Sequence, residues 1–290
     1  MPTKVEKDAI TGTDTTGHEW DGIKELNTPL PKWWLYVFYV TVIFSVIYWL
    51  LYPAIPGISG YTKGIIGGSA REALVEKMAA AQERQSAYLS RFETIELEEI
   101  RTDADLLNFS LAGGRAAFAD NCAPCHGLGG AGRPGGYPVL ADDDWIWGGT
   151  LEEIHTTLLH GIRHESDETR DSQMPAFGAD ELLTGEEIDG LAEYVLSLAG
   201  ADHDASKAAA AAELYVDNCA ACHAEDGAGE MALGAPRLND QIWLYGGEKA
   251  DIVTQIAAPR HGVMPAWSTR LDDATIKMLT VYVHSLGGGQ

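Results

Sequence analysis

The sequence predicts a mainly α protein with one N-terminal transmembrane helix followed by two tandem domains of the same kind. Three observations support this fold class: an uncharged apolar run near the N-terminus, a long repeat in the second half, and apolar residues at helical intervals in both copies of the repeat. A chain of 290 residues has room for two domains and an appendage. The expected divisions are an N-terminal segment at 1–32, a transmembrane helix at 33–52, a helical connector at 53–112, and domains at 113–200 and 206–290.

The composition is strongly acidic, with 20 basic and 43 acidic residues and a formal net charge of -23. Such a charge disfavours nucleic acid as a partner. Two interpretations of the acidity stay open. It provides either a surface that attracts a basic protein partner or a surface that only maintains solubility.

The membrane-spanning candidate is the run from Trp33 to Tyr52, which has 20 residues and no charge. A helix of that length spans roughly 30 Å, the thickness of the hydrocarbon core. The run is too long and starts too far along the chain for a cleaved signal peptide. Both ends carry the aromatic residues that favour the membrane interface, namely Trp33, Trp34 and Tyr36 at one end and Tyr48, Trp49 and Tyr52 at the other.

Pro53 ends the membrane helix, and a stretch rich in glycine follows it. From Arg71 to Ala112 there is no proline or glycine, and apolar residues recur at helical intervals. We expect one or two amphipathic helices here. They either pack on partner subunits or fold back on the first of the two domains.

The two repeats are centred on Cys122-Ala-Pro-Cys-His126 and Cys219-Ala-Ala-Cys-His223, which contain all four cysteines of the chain. C-x-x-C-H is the attachment pattern of a c-type haem. Two thiols three positions apart lie on one side of a helical turn and form thioethers with two vinyl groups, and the adjacent imidazole reaches the iron. A thioredoxin-like site would need a βαβ setting, and a zinc ribbon would need closer pairs. The sequence therefore predicts two covalent haems, held by the thiols of Cys122, Cys125, Cys219 and Cys222 and by the imidazoles of His126 and His223.

The repeat extends well beyond the attachment pattern. Phe118-Ala-Asp-Asn matches Tyr215-Val-Asp-Asn, and each copy closes with an amphipathic helix, around Tyr194 in the first and Tyr282 in the second. Each copy is short and poor in apolar residues, so a bound haem would supply much of its core. The connector between the copies, at 199–206, is brief, so we expect the two domains to lie side by side.

The distal iron ligand of each haem is expected from a methionine further along the same repeat. Met174 and Met264 both stand in a Met-Pro-Ala-aromatic setting. The following proline restricts each methionine to an extended backbone, which suits a loop that presents a thioether to iron. The expected pairs are thus His126 with Met174 and His223 with Met264. A methionine–histidine pair raises the reduction potential relative to a pair of histidines.

Other ligands remain possible from the residues alone. The alternative of two histidines at one haem would draw on His155, His160, His164 or His261, and the remaining methionines have simpler roles in loops, core and connector. The first repeat also has eight extra residues near 162–170, which are highly charged. They form either a docking loop or a solvated insertion.

The whole chain resembles the di-haem subunit III of bacterial cbb3-type cytochrome c oxidases. The resemblance rests on Trp20-Asp-Gly-Ile23, on Pro29-Leu-Pro-Lys-Trp-Trp34, on the single membrane helix and on the two C-x-x-C-H repeats. It implies two tandem class I cytochrome c domains. It also implies His126 and Met174 at one iron and His223 and Met264 at the other, with all four cysteines in thioethers.

What the resemblance implies about function is an electron relay. Electrons would arrive from a soluble cytochrome c or the cytochrome bc complex and pass to the mono-haem subunit and the haem–copper catalytic subunit. The N-terminus would be cytoplasmic and the haem domains periplasmic at the bacterial inner membrane. Lys24 and Lys32 before the span also favour a cytoplasmic N-terminus under the positive-inside rule.

The chain itself carries no nucleophile elbow or phosphate-binding loop, and filled axial positions would leave no open iron site. The sequence therefore predicts a non-catalytic electron-transfer subunit. Two alternatives stay open: a free-standing membrane-anchored di-haem shuttle, and a di-haem peroxidase or dehydrogenase with one labile ligand.

Overall fold

The computed structural model describes residues 4–288, so the outermost residues of the expected segments 1–32 and 206–290 lie outside the described range. The described chain is mainly helical, as predicted, and divides into two compact units, one ending at Arg84 and the other beginning at Gln85.

The first unit opens with a β-hairpin that the sequence analysis did not predict. Strand β1 (Thr15–Trp20) pairs antiparallel with β2 (Ile23–Leu26). The two residues between them, Asp21 and Gly22, have φ values of 50° and 83°. Asp-Gly is the favoured dipeptide for a two-residue hairpin turn, because both positions require positive φ.

Helix α1 (Lys32–Leu51) agrees with the predicted membrane span to within one residue at each end. No residue of this helix is buried, and it is long and apolar enough to cross a membrane. A second short hairpin follows, formed by β3 (Pro56–Gly57) and β4 (Gly60–Tyr61). The chain then returns to the end of α1, where Ile65 and Ile66 donate backbone hydrogen bonds of 3.0 Å to the carbonyls of Leu50 and Leu51. These contacts satisfy carbonyl groups that a helix end leaves without partners.

The remaining helices form the end of the connector and the two repeats. They are α2 (Ala70–Phe92), α3 (Leu97–Thr102), α4 (Ala104–Asn121), α5 (Ala123–His126), α6 (Leu151–His160), α7 (Gly185–Leu198), α8 (Ala205–Asn218), α9 (Ala220–His223), α10 (Lys249–Ala257) and α11 (Asp273–His284).

The end of the connector packs on helices of both repeats, whereas the sequence analysis expected contact with the first domain or with partner subunits. Phe92 and Ile100 are fully buried, in a cluster that includes Leu151 of α6 and Met278 of α11. The Lys277 ammonium donates hydrogen bonds to the carbonyls of Phe92, at 2.8 Å, and Ile95, at 3.2 Å. Because α4 begins at Ala104, it also crosses the boundary expected at 112/113.

The two packed cores do not follow the order of the repeats. Helix α4 of the first repeat packs against α11, the closing helix of the second repeat, and α6 packs on α11 as well, in the same apolar cluster. Helix α8 of the second repeat packs against α7, the closing helix of the first repeat, and α10 also packs against α7. The opening and closing helices are thus exchanged between the repeats.

Aromatic pairs mark both helix contacts. The rings of Phe118 in α4 and Tyr282 in α11 have centroids 5.4 Å apart. Those of Tyr215 in α8 and Tyr194 in α7 are 4.8 Å apart. Each opening helix therefore places its aromatic residue against the closing helix of the other repeat.

The short link between α7 and α8 explains why α7 packs against the opening helix of the second repeat. Only residues 199–204 separate α7 from α8, and a link of this length favours antiparallel packing of the two helices as a hairpin. Asp204 caps α8 through its side chain, and its own N–H donates to the Glu193 carboxylate of α7 at 2.8 Å. Lys249 of α10 reaches that carboxylate too, at 2.8 Å, and Lys207 of α8 reaches Asp189 of α7 at 2.6 Å.

Candidate haem sites

Each attachment pattern begins where an opening helix ends. Cys122 caps the end of α4 and donates to the Phe118 carbonyl at 2.9 Å, and the His126 N–H donates to the Cys122 carbonyl at 2.8 Å. The corresponding bonds at Cys219 measure 2.8 Å to Tyr215 and 2.9 Å from His223. A single tight turn, α5 in one repeat and α9 in the other, therefore carries both thiols and the imidazole.

The two histidines are oriented by proline carbonyls. Nδ1 of His126 lies 3.2 Å from the Pro138 oxygen, and Nδ1 of His223 lies 2.9 Å from the Pro236 oxygen. A carbonyl only accepts, so the bonded Nδ1 must carry the proton, and Nε2 keeps a free lone pair for a metal ion. Burial lowers the pKa of both imidazoles below the usual 6.5, which favours the neutral form that binds iron.

The inner cysteine of each pattern lies in apolar surroundings. Burial, with a smaller effect of the neighbouring cysteine, raises the pKa of Cys122 and of Cys219 to about 11. Thiols with such a pKa are neutral at pH 7 and do not carry the thiolate charge. Nor do residues 4–288 contain a group of three or more metal-binding side chains of the usual kinds. Thioether attachment, which needs only the two thiols of each pattern, is compatible with these surroundings.

A cavity of about 640 Å³ lies beside the second attachment pattern. Its volume is typical of a cofactor pocket, and most of its lining is apolar. The residues that line it include Met174, Phe177, Leu191, Tyr215, Cys219 and His223. A flat apolar group attached at Cys219 and Cys222 with its metal at His223 fits this composition.

Met174 lies at this second site, although it belongs to the first repeat. It lines the same cavity as His223 and packs against the core that contains Tyr215 and Ile256. Met264 lies at the first site, packed against the core that contains Phe118, Cys122 and Leu158. The structure thus brings Met264 together with the first pattern and Met174 together with the second.

The expected pairs His126–Met174 and His223–Met264 therefore need correction. They rested on the assumption that each repeat folds as its own domain. Because α7 and α11 are exchanged, the loops that precede them are exchanged as well. The pairs that the packing favours are His126 with Met264 and His223 with Met174.

The two methionine loops are held differently. Ile162 and Met264 exchange two backbone hydrogen bonds of 2.9 and 3.0 Å. The backbone N–H of Met174 instead donates to a side chain, Nε2 of His261, at 3.1 Å. His261 was one of the alternative iron ligands considered from the sequence, and here its Nε2 contacts the backbone of Met174.

The other alternative ligands have different surroundings. His160 contacts the Glu168 carboxylate at 3.1 Å. His155 Nε2 and His164 Nδ1 are buried without a hydrogen-bond partner. Met278 is a core residue, 7% exposed, as its position in a closing helix predicted.

The extra residues of the first repeat form a closed loop. Arg163 donates its N–H to the Arg170 carbonyl at 2.9 Å, and the Arg170 N–H donates to Gly161 at 3.2 Å. The Arg170 guanidinium lies over the Trp147 ring, 5.3 Å from its centroid, while Asp167 and Glu168 are exposed. The loop combines a packed base with a solvated tip.

Acidic residues gather beside the cavity. Burial raises the pKa of Asp144 to about 6, and repulsion from Asp240 and Asp142 adds to the shift, while Arg237 opposes it. Burial also raises the pKa of Asp142. These carboxyls come from the first repeat and Asp240 from the second, so loops of both repeats meet beside the cavity.

Sequence reasoning missed the proline carbonyls, the role of His261 and the exchange. The prolines had a signal: Pro138 and Pro236 each stand two residues before the repeated leucines Leu140 and Leu238. The exchange of the closing helices had a weaker signal in the sequence, namely the short link at 199–204 between the two repeats. His261 had none, since a lone histidine beside a loop is uninformative without its contacts.

Comparisons with known proteins cover both units. The profile described as the N-terminal domain of cytochrome oxidase-cbb3, FixP, matches residues 12–59. The profile described as cytochrome c oxidase, cbb3-type, subunit III, matches twice, at residues 110–195 and 206–283. These matches follow the sequence repeats, because a profile compares order along the chain and not packing.

Full-length relatives give the same result. The chain is 52% identical over 292 residues to the cbb3-type cytochrome c oxidase subunit CcoP of Azospirillum brasilense, covering 98% of this chain and 99% of the relative. It is 51% identical to subunit FixP of Azorhizobium caulinodans, with 98% and 96% covered. It is 47% identical to subunit CcoP of Cereibacter sphaeroides, with both chains covered fully.

Proposed function

The chain belongs to the family of cbb3-type cytochrome c oxidase subunit III, and we propose that it relays electrons through two covalently bound c haems toward the oxygen-reducing subunit of that oxidase. Family membership makes it a membrane-anchored electron-transfer subunit of an oxidase complex and not the catalytic subunit. The number of haems, their ligands, the partners and the orientation in the membrane are the proposed part.

One observation carries the proposal: each of the two C-x-x-C-H turns shares an apolar core with one methionine. Cys122, Cys125 and His126 would hold one haem with Met264 as the distal ligand. Cys219, Cys222 and His223 would hold the other with Met174. When bound in this way, each haem accepts and releases one electron.

The residues of the chain would supply two ligands to each iron. The proline carbonyls orient the imidazoles, and Met264 and Met174 each pack against the apolar core of one site. An iron with six filled positions offers no place for oxygen or peroxide. This supports electron transfer over a peroxidase or dehydrogenase activity.

The proposed electron donor is a soluble cytochrome c or the cytochrome bc complex, and the proposed acceptors are the mono-haem and haem–copper subunits of the oxidase. The net charge of -23 favours a donor with a basic docking face. The proposed orientation has the N-terminus in the cytoplasm and the haem domains in the periplasm of a bacterial inner membrane.

Purification in mild detergent with haem typing and subunit identification tests the proposal. We expect two c haems per chain and co-purification with a haem–copper subunit and a mono-haem subunit. A chain that always separates alone would favour a free-standing shuttle. Rapid cyanide or peroxide binding at one oxidised haem would favour a di-haem enzyme.

A further inference from the structure

We propose that His261 is a positioning residue that holds Met174 in place at the second haem site. The inference deepens the proposed function, because it concerns the distal ligand of one of the two proposed haems. It rests on the hydrogen bond from the Met174 N–H to Nε2 of His261, at 3.1 Å.

Met174 needs such a support because its own segment belongs to no helix or strand. Residues 171–176 are irregular, and Pro175 has no N–H to donate. The corresponding methionine of the other site, Met264, is fixed by the two backbone bonds with Ile162. Backbone holds one methionine, and a side chain holds the other.

His261 is itself held on both sides by neighbouring side chains. Arg260 exchanges two hydrogen bonds with the amide of Gln255, at 3.1 and 3.2 Å, and its guanidinium lies 4.5 Å from the centroid of the Tyr245 ring. The Gly262 N–H donates to the Tyr245 hydroxyl at 3.0 Å. These contacts fix the backbone on both sides of His261, so its imidazole is in position to accept the hydrogen bond from the Met174 N–H.

Arg163 joins the two segments directly. Its Nε donates to the Gly262 carbonyl at 2.7 Å, and its Nη1 donates to the Ser172 carbonyl at 2.8 Å. One guanidinium therefore ties the residue after His261 to the segment just before Met174. The backbone φ of Arg163 is 51°, which is rare for a residue with a side chain, so tertiary contacts hold this conformation.

The imidazole has a defined form in this arrangement. Nε2 accepts from the Met174 N–H, so in the neutral ring the proton is on Nδ1. A glutamine side chain also offers an acceptor at similar reach, whereas phenylalanine fills the same space and accepts nothing. The pair of substitutions separates the hydrogen bond from the volume of the ring.

The test uses the full-length protein in the oxidase complex, with His261→Phe and His261→Gln. The first readout is the red charge-transfer absorbance of a methionine–iron(III) bond, and the second is the affinity of the oxidised haems for added imidazole. For His261→Phe we expect reduced absorbance and about a fivefold gain in imidazole affinity at one haem only, the size expected for loss of one hydrogen bond. His261→Gln should restore both values. The haem held with Met264 serves as the internal control.

Covalent haem content and circular dichroism check that the variants fold. If His261→Phe does not retain two haems, His261→Ala replaces it, because alanine removes the acceptor without adding bulk. Unchanged absorbance and affinity in the acceptor-less variant, equal changes at both haems, or a glutamine variant as impaired as phenylalanine would each overturn the role of His261. Fewer than two methionine–iron bands in the unaltered protein would instead contradict the proposed ligands themselves.

Discussion

Ile162 and Met264 exchange two backbone hydrogen bonds, of 2.9 and 3.0 Å, although they come from different repeats of the chain. This short pairing places the second repeat's methionine loop against the first repeat's core. The reciprocal contact, between Met174 and His261, places the first repeat's loop against the second core.

The exchange predicts which methionine serves which haem. In a Cys122→Ser, Cys125→Ser background only the haem at Cys219 and Cys222 remains, and adding Met174→Ala should abolish its methionine–iron absorbance. Adding Met264→Ala should leave that absorbance almost unchanged. The background alone is the reference, and its covalent haem content should be half that of the unaltered protein.

The opposite result, with Met264→Ala abolishing the band, would restore the pairing by sequence order. The complementary background, which lacks Cys219 and Cys222, should show the reverse dependence. Replacing either methionine with histidine should lower the potential of only the haem that it faces.

Gly114 allows the close approach of α4 and α11. A Cβ at this position would lie 2.3 Å from the Met278 carbonyl oxygen and 2.6 Å from Cβ of Tyr282. Gly114→Val should therefore lower the free energy of unfolding by about 1–3 kcal/mol, as expected for an overpacked contact. Guanidinium unfolding followed by circular dichroism measures the change.

Gly185→Ala is the matched control, because a Cβ there has nothing within 4 Å. Alanine at that helix start should be neutral or slightly stabilising. Equal losses of stability in the two variants would argue against a tight contact between α4 and α11.

The hydroxyl of Tyr215 supports the second attachment turn. The ring is fully buried, and the hydroxyl donates to the Ala224 carbonyl at 2.9 Å. Tyr215→Phe should cost about 0.5–1.5 kcal/mol of stability, since it leaves that carbonyl without its partner. The first repeat has Phe118 at the matching place, so Phe118→Leu, which loses ring packing and no hydrogen bond, separates the two contributions in the same unfolding assay.

Asp144 should make stability depend on pH. Its pKa is about 6 in the folded chain, because burial and Asp240 disfavour the charged form, against an ordinary value of 3.8. Between about pH 4 and pH 6 the folded state therefore binds more protons than the unfolded state, so stability falls as pH rises through that window.

Asp144→Asn removes this penalty. The variant should gain about 1 kcal/mol relative to the unaltered protein at pH 8, after allowance for solvent screening of a half-buried group, and much less at pH 4. Guanidinium midpoints at the two pH values measure it. The control is Asp143→Asn, at the exposed neighbouring residue. If Asp144→Asn gains the same stability at pH 4 and at pH 8, titration of Asp144 is excluded as the cause.

The sequence by itself determined the chemistry of each site. Attachment by C-x-x-C-H depends on spacing within one helical turn, so Cys122, Cys125 and His126 are recognisable without a fold, as are Cys219, Cys222 and His223. The membrane span at Trp33–Tyr52 depends only on length and apolar content, and α1 matches it. The start of α7 is equally local: Thr184 and Glu187 stand in the Thr-x-x-Glu spacing of a capping box, and both of its hydrogen bonds are present.

Only the tertiary structure decided how these local parts combine. The two repeats present similar opening helices, closing helices and methionine loops, so either combination satisfies every local pattern. The choice depends on long-range contacts: the short link that pairs α7 with α8, the ion pairs of Asp189 and Glu193, and the bonds between Ile162 and Met264. The repeat in the sequence therefore determines which helices, attachment turns and methionine loops are present. The length of the link at 199–204 and the packing of the helices decide which of them come into contact.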